Sequence, residues 1–248
     1  MKNIPVKERL DKLVVGRGLA GSRERAKSLI MAGKVLVAGS PVTKAGALVD
    51  GDAQIELKAE DIPYVSRGGL KLEGAVREFR IDLGGKTAMD VGASTGGFTD
   101  CLLKHGAEKV YAVDVGYGQI DLKLRQDPRV VLLERTNIRY LERDRVPDEI
   151  DIAVVDVSFI SLRIVMPRIM EFVKAGGEIV ALIKPQFEVG RGDVGKGGVV
   201  RDESKRAEAV GAVEENMRSL GLSVAGVMES PLRGPKGNVE YLIYLRRH

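Results

Sequence analysis

The amino-acid sequence predicts an α/β fold, a doubly wound and mostly parallel sheet preceded by a small α+β domain. Three observations carry this. After Gly84-Gly85, seven apolar segments alternate with helical stretches. The first of these segments ends in a turn of small residues, MDVGASTGGFTDCLL. The first 49 residues differ from the rest in charge and in periodicity.

Taken in chain order, VKERLDKLVVGRGLA sets Val6, Leu10, Leu13 and Val14 on a helical stripe. Ser22 is placed to cap a second helix, with Ala26, Leu29 and Ile30 on one face and Gly33 ending it. KVLVAGSPV reads as a short strand and turn, and AQIELK as a strand after the Asp50-Gly51 turn. The expected small domain is 1–58, with a linker over 59–67 and the large domain over 68–248. GGLKLEGAVREF is an amphipathic helix with Leu70, Ala75, Val76 and Phe79 inward. The strands follow as KTAMDV, KVYAVDV, RVVLLE, IDIAVVDV, GEIVALIKP, SVAGVME and EYLIYL. The middle ones are continuously apolar, as strands buried on both faces of a parallel sheet are.

The 248 residues are 44% hydrophobic and 30% charged, enough for a sizeable core and a soluble surface. A single cysteine, Cys101, excludes a disulfide framework and a cysteine zinc cluster and fits a reducing compartment. His105 and His248 lack metal-ligand spacing, so no metal is expected. No apolar run approaches the ~18 residues of a membrane span, and the N-terminus has no hydrophobic signal core. The expectation is a cytoplasmic protein without membrane association. Net charge is +4, but residues 1–49 hold ten Lys or Arg against three acids, +7, leaving −3 for the other 199. That asymmetry points to a phosphate-bearing partner. Arg9, Arg23, Arg25, Lys27 and Lys34 are the candidate contacts. The run RLDKLVVGRGLAGSRERAKSLIMAGKVLVAGSPV resembles the RNA-binding domain named after small-subunit ribosomal protein four. It departs from that family at Ala38, where Asn commonly precedes the Gly.

Ligands of doubly wound sheets sit at the C-terminal strand ends, near the point where strand order reverses. Gly92, Gly96 and Gly97 let the backbone pass close to a ligand, and Asp114 follows Gly92 by 22 residues, a spacing that suits a carboxylate on ribose hydroxyls. A dinucleotide fingerprint would read G-x-G-x-x-G; here Ser94 replaces its second Gly. S-adenosylmethionine carries a sulfonium and no phosphate, and the acidic strand ends Asp90 and Asp156 suit a cation better than a pyrophosphate. GRGDVGKG imitates a triphosphate-binding loop, but its Lys196 is followed by Gly197 rather than Ser or Thr, and it reads as a mobile glycine-rich loop. Lys71, Asp156, Lys184 and Glu240 fall where such a sheet would place a reaction. Phe159 and Phe187 flank them, as packing residues or as a stacking surface for one base.

Together SRGGLKL, MDVGASTGGFTDCLL, VDVGYGQ, VVDVSFISL, LIKPQFE and SPLRGPKGNVEYL resemble the TlyA family, ribosomal RNA 2′-O-methyltransferases historically labelled haemolysins and related to FtsJ-type ribose methyltransferases. The resemblance covers nearly the whole chain. It implies a Rossmann-like S-adenosylmethionine-dependent methyltransferase sheet and, as partner, ribosomal RNA within a ribosomal subunit. It implies a catalytic set on Lys71, Asp156, Lys184 and Glu240. It implies S-adenosylmethionine bound by Gly92, Ser94, Gly96, Gly97, Phe98 and Asp114, with Thr136 and Asn137 adding contacts. An RNA-binding protein with an inactive methyltransferase fold and a haemolysin-type protein are the alternatives.

Overall fold

The structure is a computed structural model and describes residues 7–58, 62–195 and 197–248. The chain divides between Pro63 and Tyr64 into two compact units.

In the first unit, β1 (Lys7–Arg9) leads into α1 (Leu10–Gly16), and α2 spans Arg23–Met31. The helical stripe thus starts at Leu10 rather than at Val6: residues 7–9 are extended and pair antiparallel with β4 (Leu48–Asp50). Ser22 caps α2 by accepting from the Arg25 amide at 3.2 Å. Gly33 follows the helix with a φ of 67°, the left-handed C-terminal stop that glycine adopts without cost. A second small sheet has the order β3-β2-β5, from β2 (Val35–Val37), β3 (Ser40–Pro41) and β5 (Ile55–Leu57). Leu10, Val14, Ala26, Ile30 and Val35 are fully buried in its core.

The β2–β3 hairpin turns on Ala38 and Gly39, both at positive φ (48° and 77°). Such a two-residue turn favours Asn-Gly, because Asn tolerates the left-handed region that alanine resists. Ala38→Asn is expected to stabilise this unit by about 1 kcal/mol, read as a higher denaturant midpoint. An unchanged or lowered midpoint would refute it.

The second unit holds α3 (Gly68–Glu78), β6 (Thr87–Val91), α4 (Gly97–Lys104), β7 (Lys109–Val113), α5 (Leu122–Arg125) and β8 (Val130–Leu133). It continues with β9 (Ile150–Val155), α6 (Leu162–Met170), β10 (Val173–Ile183), α7 (Pro185–Glu188), α8 (Glu203–Ser219), β11 (Leu222–Glu229) and β12 (Tyr241–Arg247). One sheet runs in the order β11-β12-β10-β9-β6-β7-β8. Neighbours from β10 to β8 are parallel, and β12 is antiparallel to both β10 and β11. Alternate residues of each strand face opposite cores. Met89, Ala153, Ile179 and Ile243 join Met166 of α6 and Met217 of α8. Ala88, Ile152, Val180 and Leu242 join Leu72 of α3, Leu102 of α4 and Leu124 of α5. Burial on both faces explains why these strands carry unbroken apolar runs.

Residues 64–67, expected in the linker, are built into this unit. Tyr64 is buried, and the Val65 amide donates to Asp100 Oδ2 at 2.9 Å.

Candidate active site

Strand order reverses at β6: β7 and β8 lie on one side of it and β9 on the other. The crevice outside that point is where doubly wound sheets bind ligands. Register sets its walls. Val91 pairs with Val113 and with Val155, so Gly92, Asp114 and Asp156, each one residue further, share one edge of the sheet. Lys184 follows Ile183, which pairs with Tyr241 of the antiparallel β12. That reversal carries Glu240, at the start of its strand, to the same edge as residues at the ends of theirs.

Two cavities of about 220 and 490 Å³ lie along this edge, and Gly92, Ser94 and Asp156 line both. Lys71, Gly97 and Phe98 line the smaller. Asp114, Thr136, Asn137 and Phe159 line the larger. Gly96 lines neither: its Cα faces Leu124 and Ile120, so its left-handed φ of 91° serves the turn into α4 rather than a ligand. Asp114 holds the loops around it, accepting from the Ser94 amide at 2.7 Å and the Gly116 amide at 2.6 Å. A Cβ on Gly97 would stand 2.4 Å from Ser66 Oγ and 3.1 Å from the Gly68 Cα. That close approach seats the start of α3, and hence Lys71, beside the start of α4.

Two lysine–carboxylate pairs flank the crevice. Lys184 Nζ lies 2.5 Å from Asp156 Oδ1 and donates to Ser158 Oγ at 2.8 Å. Lys71 Nζ donates to Glu240 Oε2 at 2.5 Å. Lys184 and Glu240 are buried, and Glu240 Oε1 has no hydrogen-bond partner. Buried ion pairs of this kind are costly to desolvate and are weak devices for stability alone. Phe159 is 90% exposed at a φ of 63°, its ring 5.1 Å from that of Phe187. It is therefore not a packing residue.

Asp90, two residues before the crevice, is fully buried. Its Oδ2 accepts from Thr99 Oγ1 at 2.6 Å, and Oδ1 has no partner. Burial pushes its carboxyl up to about 7; the charges of Asp156 and Asp114 add to this, and the Thr99 bonds oppose it. Between its unfolded value near 3.8 and about 7, the folded state binds the extra proton. Stability therefore falls as pH rises through that window. Asp90→Asn keeps an acceptor for Thr99 and is expected to remove roughly 4 kcal/mol of this fall. Denaturant unfolding of both proteins from pH 4 to 8 checks it; parallel curves would refute it.

Several groups at the site stand out only in the structure. Glu188 accepts from Ser161 Oγ at 2.6 Å and from the Leu162 amide at 2.8 Å, tying the turn after Lys184 to the start of α6. Burial raises its carboxyl against those bonds. Arg67 and Arg233 line the smaller cavity. Cys101 is buried, its thiol pushed up to about 12 by desolvation, so it is no nucleophile. Among the described residues no His, Cys, Asp or Glu cluster could hold a metal ion, and no helix is long and apolar enough to cross a membrane. Lys196 of the glycine-rich loop lies outside the described residues.

In the first unit, buried Asp11 engages two of the five candidate phosphate contacts, accepting from Arg9 Nε at 3.0 Å and Arg23 Nε at 2.9 Å. Both arginines hold its carboxyl well below the usual range, Arg9 most strongly. Their side chains stay 43% and 45% exposed, so an outer face of each remains available. Arg25 and Lys27 are half-buried and Lys34 is exposed.

Sheet order and crevice define a Rossmann-like methyltransferase. Residues 64–247 match the FtsJ-like methyltransferase family, to which this chain belongs, and residues 8–55 match the S4 domain. The chain is 49% identical over 239 residues to the 16S/23S rRNA (cytidine-2′-O)-methyltransferase TlyA of Mycobacterium tuberculosis, spanning 96% of this chain and 89% of that one. It is 45% identical to hemolysin A of Brachyspira hyodysenteriae, spanning 95% and 98%. A solved structure of a candidate hemolysin from Streptococcus thermophilus superposes with a TM-score of 0.76 at 44% identity, over 98% of this chain and 89% of that one.

Proposed function

We propose that this protein methylates a ribose 2′-hydroxyl, of cytidine, in ribosomal RNA of a cytoplasmic ribosomal subunit, with S-adenosylmethionine as donor. The observation that carries the reading is the pair of ion pairs, Lys184–Asp156 and Lys71–Glu240, flanking one glycine-lined crevice.

The residues present suit this donor. Gly92 and Ser94 line both cavities, so the backbone meets a ligand there with no side chain at Gly92, and Asp156, which lines both as well, sets a carboxylate on the wall facing a cationic donor. Asp114 has one amide on each carboxylate oxygen, leaving lone pairs for a vicinal diol. When bound, S-adenosylmethionine supplies an electrophilic methyl group on sulfur. Gly92, Ser94, Gly97, Phe98 and Asp114 would hold it, with Thr136 and Asn137 at the far end of the larger cavity.

A ribose hydroxyl is a poor nucleophile, so most of the acceleration must come from alignment and from stabilising the charge that develops on oxygen. Lys184, fixed by Asp156 and Ser158, donates to the target oxygen and stabilises the charge that develops on it as the hydroxyl proton passes to solvent water. Lys71, fixed by Glu240, orients the same ribose. The exposed Phe159 ring, held in a left-handed backbone against Phe187, offers a face on which the everted base can stack. The basic first unit, with Arg25, Lys27 and Lys34 and the outer faces of Arg9 and Arg23, supplies phosphate contacts.

The test is transfer of labelled methyl groups to purified ribosomal subunits, followed by mapping of the modified ribose. A 2′-O-methyl on cytidine is expected. Label on a base, or on protein alone, would overturn the reading.

A further inference from the structure

The smaller cavity carries two guanidinium groups that the reaction as described leaves unused. Arg67 stands immediately before α3, and Arg233 lies in the loop leading to β12; both line this cavity and both are exposed. Among the described residues neither side chain makes a hydrogen bond, ion pair or ring contact. The other lysines at the crevice are neutralised: Lys71 by Glu240 and Lys184 by Asp156. The remaining charge at this mouth is therefore that of two unpaired arginines. The backbone beside Arg233 lies close to the reacting groups, since a Cβ on the adjacent Gly234 would stand 2.0 Å from Glu240 Oε1.

Uncompensated guanidinium groups converging on one opening are an anion site, and the planar fork of arginine matches phosphate oxygens two at a time. Two anions could come here, an RNA phosphodiester or the carboxylate of the methyl donor. Exposure favours the first. Gly97, proposed above to hold the donor, is buried, whereas Arg67 and Arg233 are exposed, and a nucleotide whose ribose meets Lys71 and Lys184 must carry its flanking phosphates outward, past them.

We propose that Arg67 and Arg233 clamp the phosphodiesters on either side of the target ribose and so set which nucleotide enters the crevice. This rests on the methyl-transfer reading above. It makes the two arginines binding and register residues of the catalytic unit, separate from the basic first unit.

The test uses the full chain, with Arg67→Met, Arg233→Met, the double variant and the corresponding lysine variants. Two quantities are read: the salt dependence of kcat/KM on purified ribosomal subunits at saturating donor, and affinity for S-adenosylhomocysteine by calorimetry. Each Met variant is expected to lose about tenfold in kcat/KM, and its log–log salt slope to become shallower by about one per arginine removed. The lysine variants should keep the slope, and S-adenosylhomocysteine affinity should stay within about twofold throughout, since the phosphate term is separate from the donor site. Loss of that affinity with an unchanged slope would assign the arginines to the donor carboxylate and overturn the clamp. No change in either quantity would also overturn it. A wild-type protein that transfers no methyl group to either subunit would sink the reaction itself, whereas an active wild type with indifferent variants sinks only the clamp.

Discussion

Replacing Lys184 by Ala is expected to cut methyl transfer by about a thousandfold while leaving donor affinity intact, the scale on which loss of one donor to a developing oxyanion is felt. The geometry argues for this separation. Lys184 Nζ touches Asp156 and Ser158, and lies 6.0 Å from the Phe187 ring centre, but it lines neither cavity. The groups proposed to hold the donor are strand-end glycines and Asp114 on other strands. Removing Lys184 also strips Asp156 of its cation, and an uncompensated carboxylate at the crevice favours a cationic ligand. Donor affinity should therefore stay level or rise. Lys184→Arg keeps the charge but spreads it over a planar fork that cannot reproduce a point contact to Ser158 and the target oxygen together; a loss of at least about tenfold is expected. Single-turnover transfer of labelled methyl, set beside calorimetric titration of donor, separates the two quantities. Transfer retained in Lys184→Ala would remove this residue from the reaction. Donor affinity lost with it would place Lys184 in the cofactor site.

How far the sequence spoke depended on the range of the interaction. The parallel strands were legible because burial on both faces leaves an unbroken apolar run, a purely local signal. The glycine turn and Asp114 were legible for the same reason: each belongs to one strand–turn–helix unit. The four charged residues were legible as candidates from their places beside the sheet, but their roles came from family resemblance and their pairing only from the structure. Lys71 and Glu240 are 169 residues apart, and nothing local says that the last strand inserts antiparallel between β10 and β11. β1 and β4 were illegible because they are three residues long and mostly exposed, KER and LVD, with no alternation to read. Asp11 was hidden similarly; an acid on a basic helix reads as solvated surface until its two arginine partners are seen. YVSR looked like linker because its reasons lie elsewhere: Tyr64 packs where Gly69 has no side chain, and Ser66 packs against Gly97. Phe159 reads equally as a packing residue or as a stacking surface, and only its exposure in the structure, at a φ of 63°, separates the two.

Gly92→Ala tests the crevice without touching a charged group, and its expected effect is large on both stability and transfer. Gly92 has a φ of 90°, and a Cβ there would stand 2.5 Å from the Asp156 carbonyl oxygen and 2.9 Å from its carbon. These are backbone atoms of the neighbouring strand end, so no side chain can swing aside. Left-handed strain and overpacking together cost about 3 kcal/mol, a fall in Tm of roughly 10 °C for a unit of this size. Relief by pushing Asp156 away would carry the partner of Lys184 with it, and a displacement near 1 Å at a reacting group costs about a hundredfold in rate. Gly176→Ala is the control. Its φ of 75° imposes comparable backbone strain, but nothing lies within 4 Å of the added carbon, and it sits at the opposite end of β10 from Lys184. It should lower Tm by about a third as much, the strain share alone, with transfer and donor affinity unchanged. Equal losses of transfer in the two variants would mean that instability, not the crevice, governs activity. Full transfer by Gly92→Ala would mean that the donor does not lie along this strand end.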